Sequence, residues 1–219
     1  MATVTTNNQH YADIAAAIRT KSGTQEQYRP DQMAAAIQAI SSGSTEMEDL
    51  LVERPSTFTE YTNDRVESVG NLVFYQSTLV AASFKNATSV GSGSFWSSPK
   101  LEKVNFPSLE RITLSNTFRA CPKLNNVVLP KLTTLSGSGT FMECSALDTL
   151  VLSGDTVCQL AGTTAFNNTP IASGTGYIYV PKALIEEYKV ATNWAVYAEQ
   201  FRAIEDYPEI QALVEEMQA

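Results

Sequence analysis

KLEKVNFPSLERITLSNTFRACP (Lys100–Pro122) is followed at once by KLNNVVLPKLTTLSGSGTFMECS (Lys123–Ser145). Set over one another, the two runs repeat with a period of 23 residues. Leu101 meets Leu124, Val104 meets Val127, Phe106 meets Leu129 and Pro107 meets Pro130. Further on, Leu109 meets Leu132, Ile112 meets Leu135, Phe118 meets Phe141 and Cys121 meets Cys144. Upstream the grid continues one residue shorter, through Leu79, Ala82, Phe84, Ala87, Val90 and Phe95. Downstream it continues through Leu147, Leu150 and Leu152, then gains two residues before Val157, Leu160 and Phe166. Four successive units, residues 78 to 170, share one apolar pattern.

A period between 20 and 29 on an L-x-x-V-x-F core predicts a leucine-rich repeat solenoid. Each L-x-x-V-x-F run reads as a short strand whose alternate side chains face inward. Pro107 and Pro130 close that strand, because proline has no N–H to offer a ladder. A second extended piece follows (LERIT, LTTLS), and then a turn carrying the inward phenylalanine. The clusters GSGS and GSGT fall at the corners between these pieces. No coil of this size covers its own apolar row, so neighbouring coils must cover one another. The fold class expected is an α/β solenoid.

The motif L-x-x-V-x-[FL]-P-x-L-x-x-[IL] followed by F-x-x-C-[PS] resembles the bacterial surface-antigen (BspA-like) leucine-rich repeat. The resemblance implies a short array of about four coils. It departs in the first unit, where Lys85 and Ser98 stand for the proline and cysteine. In the fourth, Ser153 replaces the proline and the F-x-x-C element is lost. The closing stretch YVP…L…Y…NW is similar to the terminal cap of the same repeat class.

The ends of the chain read differently. Residues 1–42 spell helix, turn, helix, with Tyr11, Ile14 and Ile18 on one stripe and Met33, Ile37 and Ile40 on another. Two short alanine-rich helices bury too little to stand alone, so this hairpin is expected to dock or to oligomerise. The pattern from Ile14 to Ile40 resembles a segment of tailed-bacteriophage and prophage tail structural proteins, which implies a virion-associated protein and virion structural proteins as partners. Residues 43–64 read as linker and lead-in, 65–180 as the solenoid and 181–219 as a C-terminal helical cap. In that cap, Pro181 opens one helix and Thr192 N-caps a second carrying Trp194, Tyr197 and Phe201. A final stripe, Ile210, Leu213, Val214 and Met217, is expected to cap the solenoid rather than to self-associate.

The net charge is −8 with scattered basic residues, which argues against nucleic acid as a partner. No run of about 18 apolar residues exists, so no membrane insertion is expected. The start lacks the pattern of a secretory signal. His10 is the sole histidine, and no catalytic set forms around it. Cys121 and Cys144 share one column and are expected to be small buried residues, with Cys158 off the column and more exposed. Gly91/Gly93 and Gly137/Gly139 precede neither a lysine nor a helix in phosphate-loop order, so they read as turns. No cofactor, metal site or enzyme is expected. The outward columns Val80/Glu102/Asn125/Asp148, Ala81/Lys103/Asn126/Thr149 and Ser83/Asn105/Val128/Val151 vary while the inward grid holds. Glu102, Lys103, Asn105, Asn125, Asn126 and Asp148 are therefore the expected ligand-facing surface. The reading that results is a homo-oligomeric virion module of tail or baseplate displaying this face to a host cell-surface ligand. The alternatives are a capsid-surface decoration protein or a bacterial cell-surface leucine-rich repeat adhesin.

Overall fold

The inward leucine, valine and phenylalanine of each repeat have one outlet, which is the same row of the next coil. A computed structural model describes residues 59–218 and stacks the coils in this way. A first row of parallel strands contains β1 (Glu60–Thr62), β3 (Ala81–Ser83), β5 (Lys103–Asn105), β7 (Asn126–Val128), β9 (Thr149–Val151), β11 (Tyr177–Val180) and β12 (Phe201–Ala203). A second row contains β2 (Ser68–Val69), β4 (Ser89–Val90), β6 (Arg111–Ile112), β8 (Thr134–Leu135) and β10 (Gln159–Leu160). The second row is one continuous ladder, whereas the first splits into β1-β3-β5 and β7-β9-β11-β12. At the split, the Asn126 N–H donates to the Asn125 side-chain oxygen at 2.7 Å instead of reaching the preceding coil. The equivalent N–H groups of Lys103 and Thr149 do reach back, to the carbonyls of Val80 and Asn125.

The repeat is longer than the sequence pattern suggested. Strand β1 lies inside the 43–64 segment read as lead-in, so a further coil precedes the four units. Its grid is carried by less repeat-like residues, with Tyr61 and Val66 packed against the core and Val69 and Phe74 buried. Val104 and Val127 are both buried in one continuous core. Phe74, Phe95, Phe118, Phe141 and Phe166 form a stack through five coils, with centroid spacings of 5.1, 5.2, 5.5 and 5.8 Å. Phe84 and Phe106 stack beside it at 5.2 Å. The F-x-x-C column survives its apparent losses. Ser98 Oγ donates to the Phe74 carbonyl of the preceding coil, as the Cys121 and Cys144 thiols donate to Phe95 and Phe118, whereas Thr169 Oγ1 donates to the Phe166 carbonyl of its own turn. Any small side chain with one donor serves there, because the buried carbonyl must be paired.

Two glycines show why the corners need them. A Cβ at Gly137 would lie 2.1 Å from the Leu114 carbonyl oxygen of the coil below, and Gly139 has φ of +64°.

Beyond β10 the chain closes the stack. Thr169 caps the short helix α1 (Pro170–Ser173), and β11 then extends the first row. Pro181 lies outside the helix it was expected to open: it precedes a 3-10 turn (Lys182–Leu184), and helix α2 (Ile185–Val190) follows that turn. Thr192 is not an N-cap. Asn193 takes φ of +63°, which breaks the helical turn a capped residue must enter, and Ala195–Gln200 winds as 3-10 instead. Trp194 and Tyr197 are nevertheless buried, and Phe201 opens strand β12 rather than ending a helix. Helix α3 (Pro208–Gln218) follows. The hairpin positions Tyr11, Ile14, Ile18, Met33, Ile37 and Ile40 lie outside the described residues.

Candidate functional site

The outward side of the first strand row carries two columns set by the register. One runs Ala81/Lys103, then Asn126/Thr149/Tyr177. The other runs Ser83/Asn105, then Val128/Val151/Tyr179 and Arg202. In the second column valine and tyrosine replace small polar residues from β7 onward, and an apolar stripe needs a cover. Helix α3 supplies it: Ile210 and Met217 are buried with Val128, Val151, Tyr179 and Ile204, while Leu213 and Val214 pack at the margin. The stripe expected as an end cap is therefore a lateral cover over part of the face expected to be free. Val128 and Val151 point outward from the main core, as their columns require, but are 4% and 0% exposed.

The six expected ligand-facing residues are brought onto one side but are not equally available. Lys103 pairs with Glu216 of α3 at 2.5 Å, and Glu102 with Lys123 at 3.0 Å. Asn125 caps the Asn126 N–H, and the Asp148 carboxylate accepts from the Thr149 hydroxyl at 2.9 Å. Asn105 is half-buried, and its Oδ1 is enclosed without a partner at the split between β5 and β7. Beside these exposed but paired side chains runs a strip of exposed Asn126 and Tyr177 with half-buried Thr149 between them, and the Arg202 guanidinium lies 4.4 Å over the Tyr177 ring. Tyr177 and Arg202 were missed in the sequence, although strict alternation through GYIYVP and FRAI places both outward. Burial, aided by the neighbouring Tyr207 and Glu209, raises the Tyr179 phenol above its ordinary range, so it remains a neutral donor.

A second surface was also missed. The residue after each of the first four stacked phenylalanines points out of the turn, giving Tyr75, Trp96, Arg119 and Met142 in one half-buried column. The Tyr75 and Trp96 rings lie 5.2 Å apart, Arg119 sits 5.8 Å over Trp96, and Arg119 pairs with Glu143 at 3.0 Å. The signal was present at the position after the repeated phenylalanine.

The nucleophilic groups are sealed. Cys121, Cys144 and Cys158 are all buried free thiols. Cys158 is a correction to the expectation of exposure. Its N–H donates to Tyr188 Oη at 2.9 Å and its carbonyl accepts from the Trp194 indole at 2.6 Å, so the closing segment covers it. Burial pushes its thiol up to about 12. The adjacent Cys121 thiol, together with burial, holds Cys144 well above the usual range. His10 lies outside the described residues. Among the described residues no cluster of His, Cys, Asp or Glu could hold a metal ion, and no helix is long and apolar enough to cross a membrane. A hollow of roughly 410 Å³ lies at the proline corner, between Pro107, Pro130 and the Ser153–Gly154 turn that replaces the third proline.

The profile of the family described as BspA type leucine rich repeat region matches residues 58–176 in six copies. No curated protein matches the chain. A solved structure, a leucine rich cell surface protein from Faecalibacterium prausnitzii A2-165, is 16% identical with a TM-score of 0.36. That match covers 67% of this chain, which spans only 48% of the other protein's length.

Proposed function

Because the chain belongs to the BspA-type leucine-rich repeat family, we propose that it is a non-enzymatic adhesion module acting at a bacterial cell surface. It holds a ligand along the first strand row. The observation that carries this reading is the contrast between faces of the same strands. Val104, Val127, Leu150 and Ile178 repeat inward, while Lys103, Asn126, Thr149 and Tyr177 change from coil to coil outward. A rigid stack with a variable face displays a surface without needing to move. Tyr177 and Arg202 are the anchors, being large, pre-packed side chains of the types that dominate binding energy. Asn126 and Thr149 supply hydrogen bonds beside them.

A second reading keeps the module on a virion, at the tail, the baseplate or the capsid surface. One observation favours it, the Ile14 to Ile40 pattern, which lies outside the described residues. Binding of labelled full-length protein to intact bacterial cells tests the adhesion reading. Asn126→Arg and Tyr177→Ala should each weaken binding about tenfold or more. Unchanged binding by both rejects the strand face. Gold-labelled antibody on cells and on purified particles separates the two locations.

A further inference from the structure

The turn side of the solenoid differs from the rest of the molecule in charge. It is built from residues 72–77, 91–98, 114–120, 137–143 and 161–168, and within these segments only Arg119 and Glu143 are charged, against 17% of the whole chain. Those two pair with each other at 3.0 Å, so the side is neutral on a chain of net charge −8. Two of the exposed large apolar side chains among the described residues stand on it, the others being Tyr177, Val190 and Val196. Leu72 is 53% and Leu114 45% exposed, and Trp96, Arg119 and Met142 stand half-buried on the same side. Depletion of charge with enrichment in Tyr, Trp, Met and Arg is the composition of the core of a protein interface.

We propose that this side is the interface between two copies of the chain, paired about a two-fold axis. Charge selects the occupant. Two copies at −8 repel when charged rows approach, and the neutral turn side is where they meet without that cost. A two-fold interface must be self-complementary. One positive and one negative group on adjacent coils satisfy this, because Arg119 of each copy can face Glu143 of the other. The turn backbone repeats from coil to coil: Leu72, Gly93, Asn116 and Gly139 share one positive φ, and Gln76, Ser97, Ala120, Glu143 and Asn168 a second. The strand rows lie outside such an interface, so the open part of the first row is displayed twice and avidity becomes possible.

The test is sedimentation equilibrium of the full-length protein from about 1 µM to about 1 mM. Concentration-dependent dimerisation is expected. Trp96→Glu should weaken it at least tenfold, a change of about 1.4 kcal/mol. Leu72→Asn should also weaken it while leaving the fold intact, because asparagine tolerates the φ of +58° at that position. Arg119→Glu should weaken the dimer and Arg119→Glu combined with Glu143→Arg should restore it. An unchanged melting temperature for Leu72→Asn separates loss of contact from loss of fold. A protein monomeric at every concentration overturns the proposal. So does a dimer insensitive to Trp96→Glu and Leu72→Asn, including one lost instead on Ile14→Asp with Ile37→Asp.

Discussion

Replacing Phe118 by alanine removes the middle ring of the five-coil stack. Phe118 is fully buried, with Phe95 at 5.2 Å and 13° on one side and Phe141 at 5.5 Å and 4° on the other. Phe106 meets its edge at 6.1 Å. Truncating a buried phenylalanine costs about 3–5 kcal/mol, and the cost rises when the site cannot collapse. Here the flanking rings are held a coil apart by their own backbones, so the loss should lie at the upper end. Against a total stability of about 5–15 kcal/mol this is a large fraction. Urea unfolding followed by circular dichroism measures it. With a slope of about 2 kcal/mol/M, the midpoint should fall by about 2 M. A double-mutant cycle then tests the one-dimensional logic of the stack. Phe118→Leu with Phe141→Leu should couple by about 0.5–1.5 kcal/mol, as touching aromatic rings do. Phe118→Leu with Phe166→Leu, two coils apart, should add to within about 0.5 kcal/mol. A loss below about 1 kcal/mol, or equal coupling in both cycles, would refute the argument that each coil is held mainly by its immediate neighbours.

The glycines divide by cause. Gly137→Ala should destabilise by about 1–3 kcal/mol through overpacking against the Leu114 carbonyl, and Gly139→Ala by about 1–2 kcal/mol through its positive φ. Gly162→Ala, with open space around it, should be neutral or stabilising in thermal melts. Ile210→Ala should cost about 2–4 kcal/mol of the local stability of α3. Hydrogen exchange should then accelerate at residues 208–218 while the coil amides stay protected; uniform acceleration would mean that α3 is not a separable cover. Alkaline stability follows from Cys158. Its thiol titrates near 9.0 ordinarily and about 12 when folded. Between those values the folded chain keeps a proton that the unfolded chain has lost, so stability falls as pH rises through that window. Cys158→Ala should flatten this decline in urea titrations at stepped pH, and an unaltered slope would exclude the burial argument.

The inward half of the molecule was legible because stacking imposes one requirement on every coil. Leu101, Val104, Phe106, Leu109, Ile112 and Phe118 recur since each must fill the same space one layer on, and a period of 23 announces it. Even Ser98 and Thr169, which break the F-x-x-C motif in letters, keep its physical content of a small buried donor. The first coil was invisible for the converse reason: Tyr61 and Val66 fill the same space with different residues and break the motif. The outward half depends on which elements come to lie against it, and no local pattern states that. Ile210, Leu213, Val214 and Met217 were readable as an apolar stripe and Val128 and Val151 as outward positions. Only the tertiary structure decides that the one covers the other and leaves Asn126, Thr149 and Tyr177 open beside it. Periodic burial is a near-neighbour constraint and is written in the chain, whereas the contact of α3 with β7 and β9 joins segments about 60–90 residues apart through non-directional apolar burial, which leaves no mark on local sequence.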